Sequence, residues 1–137
     1  MRLHTDAKTA LIRSLPLFAD CTSREIAQVA SVADELTLEA GRVMAQEFAD
    51  GHEFVVIIDG VAGVQRSDRR IAKLQAGDFF GEIALLTGLP RTASVVAITR
   101  VRALVIEGHA FLRLLEDAPA IRAKVERALA ERLPTAS

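Results

Sequence analysis

The stretch from Gly77 to Ser94, GDFFGEIALLTGLPRTAS, decides how the rest of the chain is interpreted. Its apolar run, residues 83–86, lies between two glycines and is too short for a core helix, so we predict only one or two helical turns, beginning just after Glu82. The first N–H groups of such a turn have no partner within it, and the helix dipole makes that end attractive to anions. The stretch therefore predicts a short helix whose beginning is an anion site.

Four residues around this predicted helix indicate which chemical groups the ligand carries. Gly81 has no Cβ, so a ligand can approach its backbone. Pro90 fixes one backbone dihedral before Arg91, and the planar guanidinium of Arg91 suits a phosphate. Glu82 would repel a phosphate, but its carboxylate can accept a hydrogen bond from a hydroxyl. A ligand that carries both groups, such as a ribose phosphate, satisfies the whole set.

The same residues, in their order and spacing, resemble the phosphate-binding cassette of cyclic-nucleotide-binding domains. The family includes protein kinase A regulatory subunits, catabolite activator proteins and nucleotide-gated channels, and the likeness extends loosely from about Leu15 to about Leu133. The matching segments are Phe80-Gly81-Glu82, Ala84-Leu85-Leu86 and Pro90-Arg91-Thr92-Ala93-Ser94.

The resemblance implies a ligand role for each cassette position. Glu82 would hold the ribose 2′-hydroxyl and Arg91 the cyclic phosphate, while Gly81 and the amides of Ile83 and Ala84 would close the cradle. It implies a regulatory domain with no catalytic residues, no metal and no cofactor, whose ligand is cAMP, with cGMP left open. An effector domain or protein outside this chain would be the controlled partner.

The choice of base depends on Thr92. Its hydroxyl could bond a guanine amino group if the purine folded over the ribose, or it could bond phosphate or backbone instead. In the family, threonine here often favours or permits cGMP, yet several channel-type domains that have it respond to cAMP. Resemblance and strand alternation together place Val64, Ala72 and Leu74 in an apolar wall for the base.

A last helix is predicted from about Pro119 to Leu133. Residues at three- and four-residue spacings share one of its faces, namely Ile121, Val125, Ala128, Leu129 and Arg132. In channel-type domains this helix swings over the purine, and an arginine near its end contacts the base. Leu129 and Arg132 are therefore expected to contact the ligand. A solvated arginine at a helix C-terminus remains an equally good interpretation of Arg132.

The fold class follows from many short strands separated by turns. We predict a mainly β protein, an antiparallel β-roll (jelly-roll-like) barrel with helices at both ends, forming one domain over 1–137. The strand Phe54–Ile58 is almost wholly apolar, which predicts burial on both faces, and Asp59-Gly60 after it predicts a hairpin. The predicted regions are N-terminal helices at 5–31, the β-roll at 34–107 with its cassette at 77–94, and C-terminal helices at 109–133.

Helix caps and turns supply the remaining boundaries. Thr5 or Asp6 is expected to cap a first helix, and Thr22 or Ser23 a second. Ser67-Asp68 predicts a further turn between strands.

Composition restricts the function classes. The 137 residues are 50% hydrophobic with a net charge of −1, which argues against nucleic-acid binding by this chain. The single cysteine, Cys21, has no internal partner, no apolar run approaches the length of a membrane span, and the N-terminus MRLHTDAKTA is too polar for a signal peptide. We expect a cytoplasmic protein, and a homodimer through the terminal helices stays open.

Two other classes compete with a nucleotide sensor. A metal-dependent jelly-roll enzyme of the cupin type has similar strands, but here the hint is limited to His52-Glu53, with no second histidine nearby. A nucleotide-blind interaction domain would have the same fold without the ligand. Neither serines nor Cys21 have a partner base in their sequence context.

Overall fold

Two four-stranded antiparallel sheets form the body of the protein in a computed structural model, which describes residues 2–132 and side chains from residue 7 onward. One sheet has the order β1-β8-β3-β6 and the other β2-β7-β4-β5. The strands are β1 (Ala33–Leu38), β2 (Val43–Ala45), β3 (Glu53–Asp59), β4 (Ala62–Arg66), β5 (Arg69–Leu74), β6 (Phe79–Phe80), β7 (Ser94–Ala97) and β8 (Val101–Glu107). The predicted β-roll with flanking helices is confirmed.

Helices flank the sheets at both ends of the chain, and one interrupts the strands. They are α1 (Arg2–Ser14), a 3-10 turn (Pro16–Phe18), α2 (Ser23–Val32), α3 (Glu82–Thr87), α4 (Gly108–Asp117) and α5 (Pro119–Arg132). The expected start of the first helix at Thr5 or Asp6 is wrong, because α1 already begins at Arg2. Residue 133, the predicted end of the last helix, lies outside the described residues.

The start of α2 follows the sequence closely. Thr22 is its N-cap and forms a capping box with Glu25, in which each side chain bonds the other's backbone N–H. Of the two predicted caps, the residue is therefore Thr22, and Ser23 is the first residue of the helix.

Strand β3 separates two hydrophobic cores. Phe54 and Val56 pack into the core beneath the helices, whereas Val55 and Ile57 point into the interior of the roll. The alternation of a strand places successive side chains on opposite faces, so a strand buried on both faces must be apolar throughout. The predicted burial of this segment is confirmed, and its position between β8 and β6 is the reason.

The turn at Asp59-Gly60 is not a hairpin. Strands β3 and β4, which it joins, belong to different sheets, so the turn carries the chain from one layer of the roll to the other. Gly60 has φ of +96°, and a Cβ there would lie 2.2 Å from the carbonyl oxygen of Arg100. Ser67-Asp68 does form the predicted turn, with both residues at positive φ between the paired strands β4 and β5.

Two predicted strands lie at sheet edges and leave apolar side chains in solvent. Leu36 on β1 and Ile71 on β5 are 45% and 48% exposed, respectively. Ile71 nevertheless borders a cavity that is described below. Within residues 2–132, every helix is too short or too polar to cross a bilayer.

Candidate functional site

A cavity of ≈ 330 Å³ opens between the cassette, the β4–β5 hairpin and the end of α5. This volume falls in the range of small-molecule sites, roughly 300–1,000 Å³. Of the predicted site residues, ten line it: Val64, Ala72, Leu74, Gly81, Glu82, Ile83, Ala84, Arg91, Thr92 and Arg132. Leu129 is the exception, because it is half-buried on α5 and does not border the cavity.

The cassette is held in place by its glycine and by β3. Phe80 pairs with Val55, which brings the following Gly81 against the start of β3. Gly81 is the N-cap of α3 with φ of +108°, and a Cβ there would lie 2.4 Å from the carbonyl oxygen of Glu53. Only glycine satisfies both the backbone angle and the space. The predicted short helix is confirmed; it begins at Glu82 itself and ends at Thr87, and the following Gly88 is its C-cap at positive φ.

Arg91 is a half-buried cation that lacks an acidic partner among the described side chains. Its Nη2 donates to the backbone carbonyl of Glu53 at 3.3 Å, and its guanidinium lies 6.0 Å from the ring centre of Phe80. Among residues 7–132, no carboxylate lies within 4 Å of it in an ion pair. Burial lowers the pKa of Arg91, while the more distant charges of Glu53 and Glu82 act in the opposite direction. An anion in the cavity would supply the missing charge.

A neighbouring loop fixes the backbone of Arg91. The N–H of Arg91 donates to the carbonyl of Ala49, and its own carbonyl accepts from the N–H of Phe48. Gly51 in the same loop lies so close that a Cβ there would be 2.8 Å from Nε of Arg91 and 2.6 Å from Cβ of Ala84. The loop thus positions the guanidinium against α3.

Glu82 is buried and bonded to the last helix. It is 1% exposed, and Arg132 Nη1 donates both to Oε1 of Glu82 and, at 2.7 Å, to the carbonyl of Phe79. The Arg132 guanidinium also lies 4.9 Å from the Phe79 ring centre. Burial raises the pKa of Glu82, although Arg132 and nearby backbone N–H groups work against that shift. The carboxylate therefore joins α3 to the end of α5.

The wall opposite the cassette is apolar except at its outer end. Val64, Ile71, Ala72 and Leu74 supply the apolar surface. At the end of β4, Arg66 also lines the cavity, and its Nε donates to the backbone carbonyl of Thr92 at 3.0 Å.

The cavity and its surroundings correspond to a known kind of domain. A model of the cyclic nucleotide-binding domain matches residues 35–118, more than half of the chain. The protein belongs to the cyclic nucleotide-binding domain family. The matched region contains all the cavity-lining residues except Arg132.

Similar proteins carry this domain as one part of a longer chain. The cAMP-dependent protein kinase regulatory subunit of Aspergillus fumigatus is 34% identical over 119 residues, 85% of this chain and 29% of that protein. The human potassium/sodium hyperpolarization-activated cyclic nucleotide-gated channel 1 is 34% identical over 123 residues, 90% of this chain and 14% of the channel. The chain thus spans less than a third of either relative.

A solved structure shows the shared fold. The regulatory domain of Toxoplasma gondii PKA, crystallised with cAMP, superimposes with a TM-score of 0.85 at 22% identity, covering 95% of this chain and 51% of that one.

Two residues at the cavity, Gly51 and Arg66, were not predicted from the sequence. A dipeptide Asp-Gly signals a turn, and an arginine beside a hairpin tip signals solvent, so neither pattern pointed to the cavity.

The structure offers no obvious metal centre. Over the described part of the chain, no three His, Cys, Asp or Glu side chains are grouped closely enough to hold a metal ion. Glu53 adjoins the cassette through its backbone carbonyl, which accepts from Arg91, whereas the carbonyl of His52 accepts from the N–H of Gly108 at the start of α4.

Proposed function

We propose that this domain senses a cyclic nucleotide, with cAMP as the favoured ligand, and uses its last helix to control an effector outside the chain. The observation that carries the proposal is the half-buried guanidinium of Arg91, which lines a ligand-sized cavity and has no carboxylate within 4 Å among the side chains that the structure describes. A partly desolvated cation is costly unless an anion neutralises it. A cyclic phosphate supplies that anion and accepts two parallel N–H bonds from the planar guanidinium.

Glu82 distinguishes the ligand from a simple phosphate. It borders the same cavity, and its charge would repel an anion that came without a donor. A ribose 2′-hydroxyl is such a donor, and a carboxylate has several lone pairs for hydrogen bonds. Arg132 contacts Oε1 of Glu82, so the remaining lone pairs can accept the hydroxyl while Arg132 stays in place.

This shared carboxylate couples the ligand to α5. Arg132 is held by Glu82 and by the carbonyl of Phe79, which both lie within the cassette. A nucleotide that fixes Glu82 and packs under Arg132 would favour the covered position of α5 over an open one. A ligand shifts such an equilibrium only by its differential affinity for the two states, and Arg132, rather than Leu129, is the contact that supplies it.

The relatives favour cAMP as the ligand. The Aspergillus protein is named for its dependence on cAMP, and the Toxoplasma domain was crystallised with it. Thr92 keeps cGMP open, because its side chain lies in the cavity and can bond a guanine amino group.

Calorimetric titration of the wild-type chain with cAMP, cGMP and linear 5′-AMP tests the proposal. We expect both cyclic nucleotides to bind and 5′-AMP to bind much more weakly, since its dianionic phosphate does not have the shape of the ring. A chain that binds no nucleotide but contains stoichiometric metal would support a cupin-type enzyme instead. A chain that binds neither would be an interaction domain.

A second titration tests the role of Glu82. Glu82→Gln should lose about tenfold in affinity for cAMP, because a charged acceptor contributes ~1.5 kcal/mol or more to a hydrogen bond. The same substitution should matter little for 2′-deoxy-cAMP, which lacks the donor. Equal losses for the two ligands would show that Glu82 does not bind the 2′-hydroxyl.

The helices and the roll belong together in this mechanism. Residues 1–137 form one domain in this proposal, since α2, α4 and α5 pack on the sheet face that contains Phe54 and Val56. A homodimer through the terminal helices stays a prediction, which sedimentation of the free and ligand-bound chain would test.

A further inference from the structure

The tip of the β4–β5 hairpin is locally unfavourable. Arg66 and Arg69 are directly opposite each other across the two strands, and like charges in that position repel. Ser67 and Asp68 form the turn with φ of +53° and +63°, a conformation in which glycine or asparagine is preferred over serine. The tip therefore depends on contacts from outside the hairpin to hold its position.

Glu47, a half-buried residue on the loop that follows β2, supplies one such contact. Its Oε1 accepts a hydrogen bond from the backbone N–H of Ser67 at 2.9 Å. Arg66 supplies a second contact, since its Nε donates to the carbonyl of Thr92 at 3.0 Å. Both bonds join the hairpin tip to the part of the molecule that contains Arg91.

The main chain around Glu47 is fixed to the end of the cassette. The N–H of Glu47 donates to Oγ of Ser94 at 2.8 Å, and the N–H of Phe48 donates to the carbonyl of Arg91 at 2.9 Å. The carbonyl of Ala49 in turn accepts from the N–H of Arg91 at 2.8 Å. Through its backbone and its carboxylate, Glu47 thus connects the segment that holds Arg91 with the hairpin that forms the apolar wall of the cavity.

We propose that Glu47 is a positioning residue for the cyclic nucleotide, because its carboxylate holds the β4–β5 hairpin at a fixed distance from Arg91; this inference rests on the proposed nucleotide function. A ligand with its phosphate on Arg91 and its base against the hairpin contacts both sides of the cavity. Release of the hairpin tip would widen the cavity and speed the dissociation of the ligand. Glu47 itself does not line the cavity, so its effect is indirect and the same for any base.

The charge of Glu47 acts in the opposite direction to its hydrogen bond. A carboxylate on the segment beside Arg91 repels an anionic ligand, so removal of the charge alone would strengthen binding. Glu47→Gln removes the charge but keeps a side-chain oxygen that can accept from the N–H of Ser67, whereas Glu47→Ala removes both. The two variants therefore separate positioning from electrostatics.

Glu39→Ala is the matched control. Glu39 lies in the turn between β1 and β2, and its pair with Arg100 at 3.7 Å is exposed to solvent. Like Glu47→Ala, this substitution deletes one carboxylate, but at a position that neither lines the cavity nor contacts the hairpin tip.

The test measures dissociation rates by stopped-flow exchange of bound cAMP or cGMP for a fluorescent cyclic nucleotide. Glu47→Ala should release both nucleotides about tenfold faster than the wild type, by the same factor for each, as expected for the loss of one charged acceptor. Glu47→Gln and Glu39→Ala should stay within about threefold of the wild type.

Hydrogen exchange without ligand distinguishes a local role from general stability. In Glu47→Ala, the amides of residues 66–70 should exchange faster, while those of β3 should exchange as in the wild type. Faster exchange throughout the chain would make Glu47 a residue of general stability and would overturn the inference.

The kinetic outcomes that contradict the inference are distinct from failure of the proposed function. Wild-type dissociation rates in Glu47→Ala, with nucleotide binding intact, would contradict the role of Glu47 and leave the nucleotide function standing. Slower dissociation in both Glu47 variants would mean that Glu47 acts by repelling the phosphate. A wild-type chain that binds neither nucleotide would contradict the proposed function together with this inference.

Discussion

At the scale of single residues, Glu82 is a charged side chain whose burial opposes its ionisation. Burial raises its pKa above the ordinary value of 4.5, even with Arg132 beside it. The folded chain therefore binds this proton more tightly than the unfolded chain does. The resulting stabilisation is fully present below the ordinary pKa and is lost as the pH rises through the raised pKa.

Glu82→Gln removes this titration and reveals its direction. The quantity to compare is the free energy of unfolding without ligand, taken for the wild type and for Glu82→Gln. The value for the wild type minus the value for Glu82→Gln should fall as the pH rises from about 4.5 toward neutrality, by at most ~1.4 kcal/mol per pH unit. Urea unfolding of both proteins across pH 4–7 measures it. A difference that grows with pH would mean that Arg132 outweighs burial and that the carboxylate is stabilised as an anion.

Gly51 is a residue whose importance is purely spatial. In Gly51→Ala the new Cβ overlaps Ala84 and Arg91, and the guanidinium has to move away from α3. We expect a loss of stability of ~1–3 kcal/mol and weaker cAMP binding. Gly63→Ala is a milder control, since its Cβ meets the ends of Arg70 and Ile98 at 3.0 and 3.2 Å. Unfolding and titration of both variants check this, and unchanged binding by Gly51→Ala would argue against its role.

At the scale of elements, α5 is anchored near its middle and at its C-terminal end. Lys124 donates to the carbonyl of Pro16 at 2.6 Å and pairs with Asp20 at 3.1 Å, which ties the middle of the helix to the 3-10 turn. Arg132 ties the C-terminal end to Glu82 and Phe79. A ligand that acts on Glu82 therefore acts on the second anchor while the first stays in place.

Hydrogen exchange of the α5 amides tests this coupling. cAMP should slow exchange in the last two turns of α5 in the wild type, and Arg132→Gln should reduce that effect severalfold, because its side chain cannot pair with the Glu82 carboxylate. Arg127→Gln removes an exposed arginine from the same helix and should behave as the wild type. Equal protection in all three proteins would uncouple α5 from the ligand.

Sequence predicts the elements better than it predicts their partners. The capping box at Thr22, the apolar β3 and the short helix between Gly81 and Gly88 depend on local chemistry, and the structure contains all three. The turn at Asp59-Gly60 was misassigned because its dipeptide fixes the bend but not which strand the chain pairs with next. That choice depends on distant strands.

The same limit applies to the site. Glu82 and Arg91 could be predicted because the cassette is contiguous in sequence. Arg132 could be predicted because the last helix resembles that of channel-type domains and helical spacing aligns this residue with an apolar stripe. Its ion pair with Glu82, 50 residues away, and the placement of Gly51 beside Arg91 arise from tertiary packing. No local pattern encodes either contact.

At the scale of the whole molecule, the site lies where the two layers of the roll meet. The core in the interior of the roll includes Phe80 of the cassette, and the core beneath the helices includes Ile121 and Val125 of α5. Strand β3 contributes to both cores, so movement of the cassette and movement of α5 act on one shared sheet. In the proposed mechanism, this arrangement would let a ligand held mainly by one loop affect a helix from the far end of the chain.

Calorimetric titration of Arg91→Ala with cAMP is the most direct measurement on this protein. Loss of the half-buried guanidinium should weaken binding by about 100-fold, or ~3 kcal/mol, because the phosphate would lose its paired donors in a partly desolvated site. Arg100→Ala removes an exposed arginine whose side chain is 72% accessible, and it should bind cAMP as the wild type does. Wild-type affinity in folded Arg91→Ala would contradict the assignment of the cyclic phosphate to this cavity.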